Sequence, residues 1–129
     1  MLRIALIGLA GLAGTLLRYW LSGVVARRWG ETFPAGTLAV NLLGCVLAGL
    51  LFYAFEERYE AGETARAALF VGLLGGFTTF SSYGLQTFAL LRGGEFLYAA
   101  ANVLASNLLG LLSVGGGYWL GRLLGGAAR

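Results

Sequence analysis

The chain has 129 residues, 58% of them hydrophobic, with a mean hydropathy of +0.78; a water-soluble domain uses only roughly 45–50% apolar residues, so this is a membrane protein. Nine arginines and six glutamates, with no Lys, Asp or His, leave a net charge of +3 scattered along the sequence rather than gathered in a basic stripe, which argues against a nucleic-acid partner. With no His, one Cys and every carboxylate in a loop or at a span end, neither a catalytic metal site nor a base-activated hydroxyl can be assembled, and the composition excludes an ordinary enzyme.

The first apolar stretch is interrupted: residues 4–17 are uncharged, Arg18 intervenes, and the run resumes until Arg27 and Arg28. A cleaved signal peptide is the competing reading, because Arg3 precedes an apolar run and small residues follow. Arg18 splits that run, however, and no polar mature region comes after it. The stretch is therefore read as a spanning helix over 2–26 with one buried or snorkelling arginine. Arg18 stands about 14 Å from Arg27 at roughly 1.5 Å per residue, close enough to a membrane face for its stem to reach water.

Charge-free runs over 33–55, 67–91 and 96–121 each exceed the roughly 20 residues a helix needs to cross hydrocarbon. In the second span Thr37 and Asn41 share a helical face at i and i+4. Cys45 is single and implies neither a disulfide nor a metal site. Gly11, Gly14, Gly44 and Ala48 read as positions of close helix packing.

The third span carries Gly75-Gly76-Phe77-Thr78-Thr79-Phe80-Ser81-Ser82-Tyr83 midway. Backbone freed from a helix at that depth is tolerated only inside protein or beside a hydrated cavity. The doublet and the two threonines suggest an unwinding over 75–79, with carbonyls released for a cation; close helix packing is the alternative use of the two glycines. Phe80 and Tyr83 could turn their positive ring edges toward one anion; core packing is the alternative, although Thr78, Thr79, Ser81 and Ser82 are odd companions for an apolar core. On the fourth span Asn102, Ser106, Gly110 and Ser113 share a face, while Asn107 lies about 100° away. Hydrogen bonding between helices is the alternative use of Ser113 and Asn107.

Trp20, Trp29, Tyr53, Tyr59, Tyr98, Tyr118 and Trp119 mostly fall near span ends, where such side chains meet headgroups. Four spans put Arg3, Arg58, Arg66, Arg122 and Arg129 on one side, and Arg27, Arg28 and Arg92, with Arg18 nearby, on the other. Because the Lys/Arg bias sets insertion direction, so even a distribution predicts a chain able to insert either way up. An antiparallel pair follows naturally.

The segments Gly11-Leu-Ala-Gly14-Thr-Leu-Leu-Arg18-Tyr19, Gly36-Thr37-Leu38-Ala39-Val40-Asn41-Leu42-Leu43-Gly44 and Gly75-Gly76-Phe77-Thr78-Thr79-Phe80-Ser81 together resemble the CrcB family of fluoride channels, also called Fluc. Asn102-Val103-Leu104-Ala105-Ser106 is similar to the family's fourth-helix segment. The resemblance implies an all-α membrane protein of four transmembrane helices, the third broken near its middle, forming one domain over 1–129. It further implies an inverted, dual-topology homodimer in the cell membrane that lets fluoride out passively through two pores at the subunit interface. By motif position it assigns the pathway to Thr37, Asn41, Phe80, Ser81, Tyr83, Asn102 and Ser106, with Arg18 near the vestibule. Backbone carbonyls of Gly75 and Thr78 would hold a structural sodium ion. Tyr83 stands where the family usually has a second phenylalanine, Gln86 where glutamate is frequent, and Gly110 where some members have serine.

Two rival functions weigh less. A proton-coupled exporter of cationic drugs needs a membrane-embedded carboxylate, and the spans have none. A non-transporting assembly subunit would explain the small-residue faces but not the polar ones.

Overall fold

The computed structural model describes residues 1–30, 32–58 and 61–126; Tyr59 and Arg129, used above in the aromatic and charge arguments, lie outside them. Among the described residues, four stretches are long and apolar enough to cross a membrane: α1 (Leu2–Trp29), α2 (Ala35–Arg58), a third over Glu63–Arg92, and α5 (Phe96–Gly126). The third is divided into α3 (63–77) and α4 (Phe80–Arg92).

These helices overrun the spans expected from charge-free runs. α1 continues through Arg27 and Arg28 to Trp29, α2 through Glu56 to Arg58, and α3 begins at Glu63. Uncharged residues mark the hydrocarbon slab, whereas a helix keeps its hydrogen bonds into the headgroup layer, where charged side chains are hydrated. At one end the helix is shorter than expected: Pro34 caps α2, which starts at Ala35 rather than at 33. α1 stops where Gly30 turns to φ 83° while its N–H still reaches the Ala26 carbonyl. Gly94, at φ 78°, makes the turn between α4 and α5.

The helices alternate in direction. Arg3 on α1 pairs with Glu63 at the start of α3, at 3.2 Å. At the other end the Phe33 and Tyr98 rings, which lead into α2 and α5, lie 6.1 Å apart. The Tyr118 hydroxyl of α5 returns to Glu57 at the end of α2.

Glycine lets these backbones touch. A methyl group at Gly14 would meet the Leu73 carbonyl and lie 2.8 Å from Phe77 N, and one at Gly76 would meet the Gly11 carbonyl. Between α2 and α5, Gly49 abuts Val114 and Gly117 abuts the Val46 carbonyl. Lipid supplies no hydrophobic force between helices, so van der Waals contact at such small residues holds the bundle.

In the third span Gly75 stays helical, at φ −63° and ψ −36°, and Gly76 with it. The extended residues are Thr78 (φ −87°, ψ 161°) and Thr79 (φ −152°, ψ 115°). The unwinding expected over 75–79 is thus confined to the threonines. Gly76 is there for its approach to α1, not for backbone freedom. Thr79 begins α4 as its cap, its Oγ1 accepting from Ser82 N at 3.1 Å. Wide π-helical turns at Ala54–Arg58, Ala68–Leu74 and Ala105–Leu109 shift the register of the helices that contain them.

Candidate functional site

Where Thr78 and Thr79 leave the helix, a cleft of about 340 Å³ opens on the flank of the bundle, midway along the third span. It is lined by Asn41, Cys45, Thr79, Phe80, Tyr83, Ser106 and Asn107, among others. Among the described residues, no charged side chain lines it. Its polar groups are two amides, hydroxyls and a phenol, carried by α2, α4, α5 and the break leading into α4.

Asn41 is clamped to the break. Its Nδ2 donates to the Thr79 carbonyl at 3.0 Å, and its Oδ1 accepts from Thr79 N at 2.8 Å. The amide thereby replaces the Gly75 carbonyl as the acceptor for Thr79 N–H, as burial in lipid requires, and adds a donor to the Thr79 carbonyl. Gly44, one turn along α2, has no side chain because the Thr78 methyl fills that place. Thr78 in turn donates its hydroxyl to the Leu74 carbonyl at 2.9 Å.

Thr79 Oγ1 accepts from Ser82 N, donates to Ser82 Oγ at 3.0 Å and lies 3.3 Å from Ser81 Oγ. Three hydroxyls thus cluster at the head of α4. Phe80, beside them, is 83% exposed, and its ring centroid stands 5.4 Å from that of Tyr83 with the planes at 48°. Asn107 donates to the Val103 carbonyl at 2.8 Å and to the Tyr83 hydroxyl at 3.4 Å. With the phenol oxygen accepting from Asn107, the Tyr83 proton is left for another acceptor.

A second pocket, of about 250 Å³, lies toward the α1–α2 turn and is lined by Thr37, Ser22 and Gln86, with Gly30 and Pro34 at its edge. Gln86 Oε1 is buried there without a hydrogen-bond donor among the described residues. Thr37 sits one helical turn from Asn41, and Gln86 one turn from Tyr83. The two hollows therefore follow one another along α2 and α4.

Of the other expected site residues, Ser106 lines the cleft, while Asn102 and Arg18 fall elsewhere. Asn102 is 2% exposed and outside the cleft lining; its Nδ2 donates to Thr87 Oγ1 at 2.9 Å, tying α5 to α4. Ser106 lines the cleft beside Asn107 rather than following Asn102 down a common face. The π-helical turn over Ala105–Leu109 explains the exchange, because an i to i+5 pattern breaks the i, i+4 arithmetic used for α5. Arg18 is half-buried on α1 and lines neither hollow.

With the geometry in view, likeness to known proteins is informative. The family described as "CrcB-like protein, Camphor Resistance (CrcB)" matches residues 5–118. The chain belongs to the CrcB family. It is 44% identical over 122 residues to the fluoride-specific ion channel FluC of Solidesulfovibrio magneticus, covering 95% of this chain and 98% of that one. Against the protein of the same name from Opitutus terrae it is 46% identical over 119 residues, covering 91% and 87%. With that of Aquifex aeolicus it shares 44% over 118 residues, covering 92% and 95%. Every residue of both hollows lies inside the CrcB match.

The break of this CrcB chain also offers oxygen ligands. In a continuous helix Thr79 N would serve the Gly75 carbonyl and Ser82 N the Thr78 carbonyl. Here those donors go to Asn41 Oδ1 and Thr79 Oγ1. Both carbonyls lose their helical donors, and neutral oxygens of this kind suit a hard cation. Two are an incomplete shell.

Proposed function

We propose that this CrcB-family chain is a fluoride channel of the cell membrane, which lets the ion leave passively as an antiparallel homodimer. The observation that carries the reading is the cleft: uncharged hydrogen-bond donors converge around a helix break at mid-membrane depth, in a chain whose relatives are named fluoride-specific ion channels.

Fluoride is small and strongly hydrated, so a narrow path must replace its water with other donors. The second Nδ2 hydrogen of Asn41, the Tyr83 hydroxyl, Ser81 and Ser106 supply them, with the Phe80 ring edge beside them. Uncharged donors solvate the anion without trapping it, as conduction requires. Arginine is absent from 33–55, 67–91 and 96–121, while Arg18 raises the local anion concentration as the vestibule residue. In this reading the pocket of Thr37, Ser22 and Gln86 is the mouth leading to the cleft.

A second, inverted copy accounts for what one chain leaves open. Phe80, Ser81 and Asn107 are exposed on the flank of the bundle, where lipid would leave hydroxyl and amide groups unsatisfied. The same partner would bring a second Gly75 and Thr78, whose carbonyls together with this chain's would hold the structural sodium ion. When bound, that ion neutralises the carbonyl dipoles and raises the potential felt by anions. Two clefts, one per subunit, give two pathways.

Passive exit suffices physiologically. Hydrogen fluoride is a weak acid that crosses membranes neutral and ionises in a less acidic cytoplasm, where the anion is trapped. Expression in cells that lack fluoride export is expected to restore growth in acidic fluoride medium. Continued sensitivity, with the protein present in the membrane, would contradict the assignment.

A further inference from the structure

Asn41 spends one amide hydrogen and its carbonyl on the Thr79 backbone, which gives it a role distinct from solvating an anion. We propose that Asn41 is a positioning residue that keeps the helix break open, so that cation binding and the anion cleft are coupled through its two bonds to Thr79. The inference rests on the sodium site proposed above.

The Gly75 carbonyl faces a choice between two partners. If Thr79 N turned back into the helix it would donate to Gly75, the ordinary i to i+4 bond. While Asn41 Oδ1 holds that N–H at 2.8 Å, the carbonyl is available to a cation. The companion bond, from Asn41 Nδ2 to the Thr79 carbonyl at 3.0 Å, holds the next peptide extended. That extended residue carries the Oγ1 that caps α4 and aims Phe80 outward at 83% exposure. Closing the helix would thus remove a cation ligand and rotate the cleft's ring in one movement. A short segment with two states, the open one favoured by cation and anion alike, is what coupling between the two sites requires.

Packing holds the Asn41 side of the clamp in place. Val40 beside it is fully buried, and Gly44 one turn on is closed by the Thr78 methyl. Of the two partners, Thr79 is the one with a helical alternative, the bond from its N–H to Gly75. Removing the Asn41 amide leaves Thr79 N–H without a partner in a dry site, and the cheapest remedy is to restore the helical bond to Gly75.

The test compares wild type, Asn41→Leu and Asn41→Ala as purified whole protein, following thermal stability as sodium replaces a large organic cation. Tyr83→Phe serves as a cleft variant that leaves the clamp intact. Wild type and Tyr83→Phe are expected to be stabilised by sodium at similar concentrations. Both Asn41 variants are expected to need on the order of tenfold more sodium for half the effect, as loss of one or two net hydrogen bonds implies. A wild type indifferent to sodium overturns the cation reading itself. A wild type that responds, with Asn41 variants responding at the same concentration, overturns the coupling alone. A variant too unstable to purify in sodium is compared by its dimer fraction in detergent, and a fraction equally sensitive to sodium removal in variant and wild type has the same overturning force.

Discussion

Tyr83 adds a phenol to a cleft otherwise lined by an aliphatic wall, amides, hydroxyls and one phenyl ring. Since Asn107 already donates to its oxygen, the phenol can act on an anion only as a donor. Tyr83→Phe keeps the ring edge and removes that donor, and a hydrogen bond to a charged group is worth about 1.5–3 kcal/mol. Fluoride flux through this variant is expected to fall on the order of tenfold or more, measured by electrode against wild type, and an unchanged rate would remove the phenol from the path. Phe80→Ile retains bulk without a ring edge, and its flux should drop sharply. Gly44→Ala is a structural counterpart. The new methyl meets that of Thr78, whose hydroxyl is fixed on Leu74, so a loss of about 1–3 kcal/mol in stability is expected, readable as a lower denaturation midpoint.

At the scale of helices, the third span shows how an ambiguous signal is resolved. Glycine at 75 and 76 is equally compatible with unwinding and with close packing, and the deciding partner, Gly11, is far away in sequence. The threonines were legible as polar residues in the wrong place, but that Thr79 would cap α4 depended on Asn41 taking its N–H and C=O. Four spans, their order and the crowding of donors around 78–83 could be read from hydropathy and residue type. The exchange of Asn102 for Asn107 could not, because nothing in residues 105–109 announces a π-helical turn. Two substitutions check this account of the break. Thr79→Ala loses the α4 cap and should cost about 1 kcal/mol, while Thr79→Ser keeps the hydroxyl and should stay close to wild type. Equal stabilities would mean that the cap contributes nothing.

For the whole molecule, the two membrane faces differ less in charge than in how the charges are used. At one end Arg3 meets Glu63 and Arg66 meets Glu56, while at the other Arg27, Arg28 and Arg92 make no salt bridge among the described residues. The even count of arginines leaves insertion direction poorly determined, so a reporter fused to the C-terminus should be found on both sides of the membrane. Such a mixture would supply the inverted partner on which the proposed function rests. The most direct measurement is fluoride efflux from liposomes containing only this purified protein, driven by a potassium diffusion potential and followed with an ion-selective electrode. Rapid fluoride release with chloride retained is the expected result; vesicles that hold both ions, or release both alike, would contradict a fluoride channel.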